Sequence, residues 1–370
     1  MNFQNICIVG TGLIGSSLAL AFKRNNIGEK IWGVDKSDVA RNLENTNIVD
    51  QAFSITELIH VIPKSDLIVL ASPIQHILNI LPKISELAPA EAIITDVGST
   101  KSQIVAQAKK LFHSGSVFIG GHPMTGSEKK GYLAADPFLF ENCYYVLTPT
   151  IEAPLNKVNL LSESLEKIGA KVLFLDAAVH DRIAAAVSHL PQILAVSLVN
   201  LVGHYQNENP YYLKMAAGGF RSMTRIASSP FNIWEDICQS NRDNILKMIN
   251  HFIEELEGMK QLFQNNGVDI CHLQSYFETA ATTRLSIPHD TKGFLHPLFD
   301  LTVVVRDEPG VVAKISSACY EEGINIRDIE VLKVRLWEGG TIRLAFESAE
   351  DRTNAKRILE KNRFECHMKD

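Results

Sequence analysis

Several features that mark other protein classes are scarce or missing in this sequence. The six cysteines are widely scattered and form no CxxC pair or metal-ligand spacing, so we expect reduced thiols and no bound metal. The net charge is -6, so the sequence lacks the basic excess that nucleic-acid binding requires. Residues 1–5 lead directly into a predicted strand, without the charged, apolar and cleavage regions of a signal peptide. We therefore expect a soluble cytoplasmic protein that binds no nucleic acid.

One long apolar stretch, residues 177–204, is rich in Ala, Val, Leu and Ile. A surface helix keeps one polar face, so this helix should be buried on nearly all sides, inside its own domain or against a partner subunit. It is long enough to raise the question of a membrane span, but the charged and polar residues in and beside it argue against one. Pro191 should kink the helix, and His189 and Gln192 share one of its faces. This polar pair indicates either a bound polar group or a satisfied core histidine.

The start of the chain contains a dinucleotide-binding pattern. A strand-like run is followed by the motif GTGLIG, which begins at Gly10, and then by a helical pattern. In such a motif Gly10 permits the tight turn, Gly12 lets a pyrophosphate approach the backbone and Gly15 lets the helix pack closely on the strand. Asp35 ends the second predicted strand, twenty residues past Gly15, where a carboxylate can bind the ribose hydroxyls of NAD. We predict NAD, although the neighbouring Lys36 is compatible with NADP.

Further strands alternate with helices, which predicts a doubly wound α/β domain over residues 1–176. Polar or glycine-rich segments follow three of these strands, at Ser72, Ser99 and His122. Ligands bind at the carboxyl ends of such strands, so Ser99 and His122 should converge beside the nicotinamide. Ser99 could also be a helix N-cap, and Gly120-Gly121 suggest that a ligand approaches the backbone next to His122. The predicted cofactor-binding residues are Gly10, Gly12, Leu13, Ile14, Gly15, Asp35, Ser72 and Pro73.

After residue 176 the pattern becomes helical, which predicts an all-α domain over residues 177–290. A predicted loop, flexible at its glycine-rich start, carries Arg221 and Arg225. Arginine suits the bidentate binding of a carboxylate, although a surface ion pair is the commoner fate of such a residue. The rest of this domain is too small to cover the long apolar helix, so we expect a homodimer with interlocked helices.

The last part of the chain, residues 296–370, shows the order strand, helix, strand, strand, helix and a possible last strand. This order predicts a small α+β domain of the ferredoxin-like, split βαβ type. The segment contains no plausible catalytic constellation, so it should serve interaction or ligand sensing.

Five segments stand in a characteristic order along the chain: residues 10–15, 96–101, 121–126, 188–191 and 218–225. Together they resemble the prephenate dehydrogenase family, and the resemblance covers about residues 5–285. The last domain resembles an ACT domain through Asp307-Glu308-Pro309-Gly310 and Gly323-Ile324-Asn325-Ile326. The resemblance implies NAD-dependent oxidative decarboxylation of prephenate to 4-hydroxyphenylpyruvate in tyrosine biosynthesis, with feedback inhibition by tyrosine.

The resemblance also implies roles for individual residues. By this resemblance His122 is the proton acceptor, and Ser99 orients it and the substrate hydroxyl. An imidazole suits the role because its unperturbed pKa of ~6.5 leaves it largely neutral at cellular pH. The family often has histidine where this sequence has Gln192, which leaves the substrate's side-chain preference open. Some members have an acid that helps gate the site where this sequence has Ser222. The implied substrate-binding residues are His189, Gln192, Arg225, Ser127, Gly218 and Trp234. The implied effector-binding residues are Pro309, Gly310, Val311, Asn325 and Ile326.

Three alternatives stay open at this point. An arogenate dehydrogenase would use the amino-acid form of the same substrate. A 3-hydroxyacid dehydrogenase would also join a nucleotide fold to a helical domain, but it should show a lysine near the kink, and none lies between Asp181 and His204. A non-catalytic regulator that senses NAD and amino acids should have lost Ser99, His122 or Arg225, and all three are present.

Overall fold

The computed structural model describes seven stretches of the chain, which fall into two compact units, residues 1–273 and 274–370. Ser127 and Asp307, both named above, lie outside the described residues. The described stretches are residues 3–112, 115–126, 129–264, 268–287, 298–306, 308–335 and 339–368.

An eight-stranded sheet forms the centre of the first unit. Its strands are β1 (Phe3–Val9), β2 (Gly28–Asp35), β3 (Gln51–Ser54), β4 (Leu67–Leu70), β5 (Ile93–Asp96), β6 (Val117–Pro123), β7 (Tyr144–Pro149) and β8 (Lys171–Phe174). They lie in the order β3-β2-β1-β4-β5-β6-β7-β8. Only the β6–β7 pair in this sheet is antiparallel among the described residues. The first six strands therefore end at one common edge.

Helices cover both faces of this sheet, as the doubly wound prediction requires. They are α1 (Leu13–Arg24), α2 (Ser37–Leu43), α3 (Leu58–Val61), α4 (Ile74–Leu87), α5 (Ser102–Leu111) and α6 (Leu155–Lys167). Alternate side chains of β1 enter two different apolar cores: Ile8 packs with α1 and α6, whereas Val9 packs with α4 and α5. Burial on both faces explains why these strands read as short continuous apolar runs. The predicted fold class is confirmed.

Strand β6 is longer than expected, since it includes His122, which was predicted to follow the strand, and ends at Pro123. The extension pairs with β7, where His122 faces Val146. A β-carbon on Gly121 would lie 2.5 Å from the Asp96 carbonyl oxygen, so this glycine is required by protein packing. The expectation that the glycines admit a ligand was therefore wrong, because the crowding atoms belong to neighbouring strands.

The helical part of the chain begins after β8. Its helices are α7 (Ala177–Ala184), α8 (Leu190–Gln206), α9 (Tyr211–Lys214), α10 (Gly218–Thr224), α11 (Phe231–Ser240), α12 (Arg242–Gln264) and α13 (Ile270–Ser286). A π-helical turn, Ala185–His189, joins α7 to α8. This irregularity is expected beside Pro191, because the proline ring clashes with the carbonyl of residue Val187, four positions earlier. The segment predicted to start as a flexible loop is instead α10, which begins at Gly218.

The continuous helix from Ala177 to Gln206 is long and apolar enough to cross a membrane by length and composition alone. Only 22% of the most apolar part of this helix is buried within the chain. The expectation that its own domain buries the helix was therefore wrong. Contiguous apolar surface of this kind marks an interaction site. Its exposed apolar side chains include Ile183, Val187, Val196, Leu201 and Tyr205.

The second unit contains a four-stranded antiparallel sheet in the order β10-β11-β9-β12, built from β9 (Phe299–Val305), β10 (Asp328–Arg335), β11 (Gly339–Phe346) and β12 (Glu365–Met368). Helices α14 (Val311–Glu321) and α15 (Ala349–Lys361) connect the strands in the predicted order. Leu301, Ile315 and Leu359 belong to its apolar core. The predicted ferredoxin-like domain, with its final strand, is confirmed.

Candidate active site

A cavity of about 440 Å³ opens at the carboxyl edge of the first sheet. Residues that follow β1, β4 and β5 meet there with the end of β6, as the topology requires. Lys129, Asn232 and Asp236, which the sequence analysis did not single out, complete parts of the wall. The predicted residues that line the cavity are Gly12, Leu13, Ile14, Ser72, Pro73, Ser99 and His122.

The glycine motif has the geometry that a bound dinucleotide needs. Gly10 has φ of +97°, and a β-carbon on Gly15 would lie 2.0 Å from the Gly10 carbonyl oxygen. A β-carbon on Gly12 would meet nothing within 4 Å, so the space above Gly12 is open to the cavity. Among the described residues, no side chain caps the N-terminus of α1. Its amides and positive dipole end are therefore suited to a phosphate.

Asp35 is held beside this loop at the end of β2. Its Oδ2 atom accepts hydrogen bonds from Thr11 N at 2.6 Å and from Thr11 Oγ1 at 2.8 Å. Its Oδ1 atom accepts from Lys36 N at 2.7 Å. The carboxylate thus has a fixed position at the edge where a ribose would follow the pyrophosphate.

His122 begins a buried chain of hydrogen bonds that leads away from the cavity. Its Nδ1 atom lies 2.8 Å from Nε2 of His180, and Nδ1 of His180 lies 2.8 Å from Oδ1 of Asp181. His122 is 9% exposed, and the other two side chains are almost completely buried. Because Nδ1 of His122 is engaged, its Nε2 atom is the ring nitrogen left for a ligand.

Asp181 connects this chain to the nucleotide-binding sheet. Its two carboxylate oxygens accept the backbone N–H groups of Lys101 at 2.7 Å and Ser102 at 2.9 Å, at the start of α5. Asp181 therefore satisfies the helix terminus for which Ser99 was considered as an N-cap. Ser99 lies before the helix, which begins at Ser102, and it lines the cavity instead.

The environment keeps His122 neutral. Burial lowers its pKa well below the usual value, and the neighbouring His180 and Lys101 lower it further. Burial alone would raise the pKa of Asp181, but hydrogen bonds from His180, Ser102 and Lys101 bring it below its usual value. The site thus combines a neutral imidazole at the cavity with an ionised carboxylate behind it.

Lys101 and Asp96 form a completely buried ion pair next to His122. Lys101 Nζ also donates to the Gly121 carbonyl at 2.7 Å, and Asp96 accepts the amides of Gly98 at 2.8 Å and Gly121 at 3.1 Å. Burial lowers the pKa of Lys101, and the Asp96 carboxylate opposes this shift. The pair fixes the backbone of the residue that precedes His122.

His189 lies at the end of the π-helical turn and is also buried. Its Nδ1 atom lies 3.2 Å from Nδ2 of Asn241, which also donates to the Asp181 carbonyl at 2.7 Å. Its ring is perpendicular to that of Trp234, with the centroids 6.0 Å apart. Burial lowers the pKa of His189 to about 4. Gln192, one turn later, is buried as well.

Arg225 and Trp234 line a second cavity of about 520 Å³, which shares Gly126, Lys129, Pro230 and Ile233 with the first. The two spaces therefore adjoin, and a substrate carboxylate in the second cavity can meet Arg225. Gly218 lies at the exposed start of α10 and lines neither cavity in the described part of the chain. The substrate-binding assignments stay predictions.

Three buried polar residues of the site, His180, Asp181 and Asn241, were missed by sequence reasoning. His180 and Asp181 are adjacent polar residues in the first turns of the apolar helix. Their place at the start of an apolar helix is the signal that could have identified them, because buried polar groups need partners.

The predicted effector residues lie in the second unit. Gly310 has φ of +87° and precedes α14, so it supplies the left-handed turn at which the helix starts. Pro309 and Asn325 are exposed, whereas Val311 and Ile326 are partly buried against the core of this unit. Their effector role stays a prediction.

Comparisons with known proteins cover all three parts of the chain. Residues 18–174 match the family model "Prephenate dehydrogenase, nucleotide-binding domain", residues 176–279 match "Prephenate dehydrogenase, dimerization domain", and residues 299–362 match "ACT domain". The prephenate dehydrogenase of Bacillus subtilis is 36% identical over 360 residues, which cover 96% of each chain.

Two solved structures extend the comparison. The prephenate dehydrogenase of Aquifex aeolicus, solved with hydroxyphenyl propionate and NAD+, is 30% identical with a TM-score of 0.71, covering 78% of this chain and 99% of that one. The Synechocystis arogenate dehydrogenase is 29% identical with a TM-score of 0.66, covering 76% and 99%. The matches favour the predicted dehydrogenase over a 3-hydroxyacid dehydrogenase or a non-catalytic sensor. The chain belongs to the prephenate dehydrogenase family.

Proposed function

We propose that the chain catalyses the NAD-dependent oxidative decarboxylation of prephenate to 4-hydroxyphenylpyruvate. The observation that carries the proposal is the placement of a neutral, buried His122 in the same cavity as the open glycine loop. The relatives named above support the reaction, since one is a prephenate dehydrogenase solved with NAD+.

Bound NAD+ supplies the acceptor for the hydride that leaves C4 of the substrate ring. Nε2 of His122 accepts the proton of the C4 hydroxyl, which drives the carbon towards a ketone. The electron pair of the bond between the ring and its carboxylate then moves through the ring to the C4 oxygen, which takes back the proton from His122. Carbon dioxide departs and the ring becomes aromatic. General-base assistance of this kind contributes typically 10²–10⁴-fold.

Two further side chains support this step. Ser99 lines the cavity with His122 and orients the substrate hydroxyl towards the imidazole. Arg225 lines the adjoining cavity with Trp234, where its guanidinium binds a substrate carboxylate. Asp35 favours NAD, because a carboxylate repels the 2′-phosphate of NADP.

The deciding experiment measures initial rates of NADH formation with prephenate and with arogenate, which carries an amino group in place of the keto oxygen. NADH formed from prephenate supports the proposal. NADH formed from arogenate alone keeps the mechanism and changes the substrate, as in the Synechocystis relative. Gln192 keeps this second candidate open, since its amide can hydrogen-bond either side chain. A chain that reduces NAD+ with neither compound refutes both candidates.

We also propose a homodimer built on the long helix. The helical region matches a dimerization domain, and apolar side chains such as Val187 and Leu201 are exposed in the single chain. A second copy would cover them in a soluble, cytoplasmic enzyme. Analytical ultracentrifugation tests this, and a monomer at micromolar concentration would contradict it.

We propose tyrosine as an effector that binds the ACT domain near Pro309, Gly310 and Asn325. Support comes from the domain match and from the exposure of these three residues. Inhibition requires that tyrosine bind two states of the enzyme with different affinities. Rates at subsaturating prephenate should fall when tyrosine is added. Equal rates with and without tyrosine would refute the regulation and leave the catalytic proposal intact.

A further inference from the structure

We infer that His180 is a positioning residue that fixes the tautomer of His122 and leaves its Nε2 atom free to accept a proton. The role of His122 as a base rests on the proposed function. The tautomer follows from the hydrogen-bond chain with His180 taken as a neutral imidazole, and it is measurable without turnover, so the two can be tested separately.

The order of donors and acceptors starts at Asp181. An ionised carboxylate only accepts hydrogen bonds, and Asp181 already accepts the backbone amides of Lys101 and Ser102. The Nδ1 atom of His180, 2.8 Å from Asp181 Oδ1, must therefore carry a proton and donate it.

The same reasoning continues to the cavity. A neutral imidazole carries one N–H group, so a His180 that donates from Nδ1 accepts at Nε2. The atom 2.8 Å from that Nε2 is Nδ1 of His122, which must donate. A neutral His122 protonated at Nδ1 has its lone pair at Nε2, the ring nitrogen left for a ligand in the cavity that His122 lines. With the opposite tautomer, Nε2 would carry a hydrogen and could not accept one.

The chain also suits the charged form of His122. When Nε2 gains a proton, hydrogen bonds connect the positively charged ring through His180 to the carboxylate of Asp181. The other charged or titratable groups that act on His122 are Lys101, which disfavours its protonation, and His189, which is buried and has a lowered pKa. Asp181 is the group that favours the protonated state.

Two substitutions of His180 separate this role from a purely structural one. In His180→Gln the side-chain amide reaches the place of the ring Nε2, and its oxygen can still accept from His122. In His180→Asn the shorter amide reaches the place of Nδ1, so it keeps a hydrogen bond to Asp181 and loses His122. Both variants remove the imidazole and leave the nucleotide loop unchanged, so the affinity for NADH serves as a control for folding.

The rate of prephenate oxidation should differ between the two variants. We expect His180→Gln to retain kcat within about tenfold of the wild type, while His180→Asn loses at least about 100-fold with an unchanged KM for NAD. The loss of a tautomer-setting partner lowers kcat by about 10⁴ in serine proteases. Equal losses in the two variants, or a larger loss in His180→Gln, would overturn the inference.

The ¹⁵N chemical shifts of the imidazole nitrogens report the tautomer without any turnover. The His122 signals are assigned among the twelve histidines by their absence from His122→Asn. We expect an Nδ1–H tautomer in the wild type and in His180→Gln, and its loss in His180→Asn. If neither substrate is oxidised, the proposed function fails, yet these shifts still decide the inference. An Nε2–H tautomer in the wild type would refute it.

Discussion

A β-carbon on Gly15 would lie 2.0 Å from the carbonyl oxygen of Gly10, a separation that no folded chain tolerates. The two glycines are therefore in contact across the turn between β1 and α1. Gly12, between them in sequence, has open space where its β-carbon would be. Glycine is therefore required in this motif for two different physical reasons: close packing at Gly15 and open space for a ligand at Gly12.

This difference predicts opposite effects of two alanine substitutions. Gly15→Ala should lower the thermal unfolding midpoint and abolish NADH binding, because the turn must distort. Gly12→Ala should unfold like the wild type and bind NADH at least about tenfold more weakly, because the new methyl group enters the space for the pyrophosphate. Calorimetry and fluorescence titration measure the two effects. Wild-type affinity in Gly12→Ala would show that the dinucleotide lies elsewhere.

Replacement of the proposed base should remove catalysis without removing the fold. His122→Asn should lower kcat by about 10²–10⁴-fold, the range for general-base assistance, with NADH affinity unchanged. The exposed His251 provides a matched control, since His251→Asn should keep full activity. A kcat within threefold of the wild type in His122→Asn would exclude this residue as the base.

Cofactor choice should depend on the charge of Asp35. Asp35→Asn keeps an oxygen that can accept the Thr11 hydrogen bonds but removes the negative charge beside Lys36. We expect the KM for NAD to rise by about tenfold, consistent with about 1.5–3 kcal/mol for a hydrogen bond to a charged group, and the KM for NADP to fall. Steady-state rates with both cofactors measure the change. Unaltered preference would mean that another group contacts the ribose.

The buried pair of Lys101 and Asp96 predicts a non-additive effect on stability. Lys101→Met leaves a buried carboxylate without its cation, which should lower the free energy of unfolding by about 3–5 kcal/mol. The double variant with Asp96→Asn removes the stranded charge and should recover part of that loss, because the Asn oxygen still accepts a backbone amide. Urea unfolding of the two variants gives the comparison. A double variant that is less stable than Lys101→Met would contradict the argument.

Acid should destabilise the enzyme through its buried histidines. Burial lowers the pKa of His189 from 6.5 to about 4, so the unfolded chain binds a proton in this interval and the folded chain does not. The free energy of unfolding should therefore be constant above pH 6.5 and fall as the pH decreases towards 4. At ~1.4 kcal/mol per pKa unit, the titration of His189 should lower the free energy of unfolding by about 3 kcal/mol over this pH interval.

Urea unfolding at pH 7.5 and pH 5 tests this prediction, with His189→Gln as the comparison. The variant should lose less stability between the two pH values than the wild type, because its side chain does not titrate. Identical losses in both proteins would show that other groups, such as His122, control the acid sensitivity.

Local sequence patterns are sufficient to predict the alternation of strands and helices, the glycine motif, the acid at Asp35 and the order of the last domain. These features are local, because the spacing of apolar side chains and the requirements of a tight turn depend only on residues that are close in sequence. The same reasoning placed Ser99 and His122 at one edge of the sheet, because parallel strands end together.

Tertiary structure alone decided the remainder. His180 and Asp181 contact His122 and the start of α5 although 58 and 79 residues separate them in sequence, and no local pattern contains that proximity. The length of β6 depends on pairing with β7. Glycine is required before His122 because atoms of neighbouring strands leave no room for a β-carbon. The protonation of His122 likewise depends on burial and on charges that only the folded chain brings together.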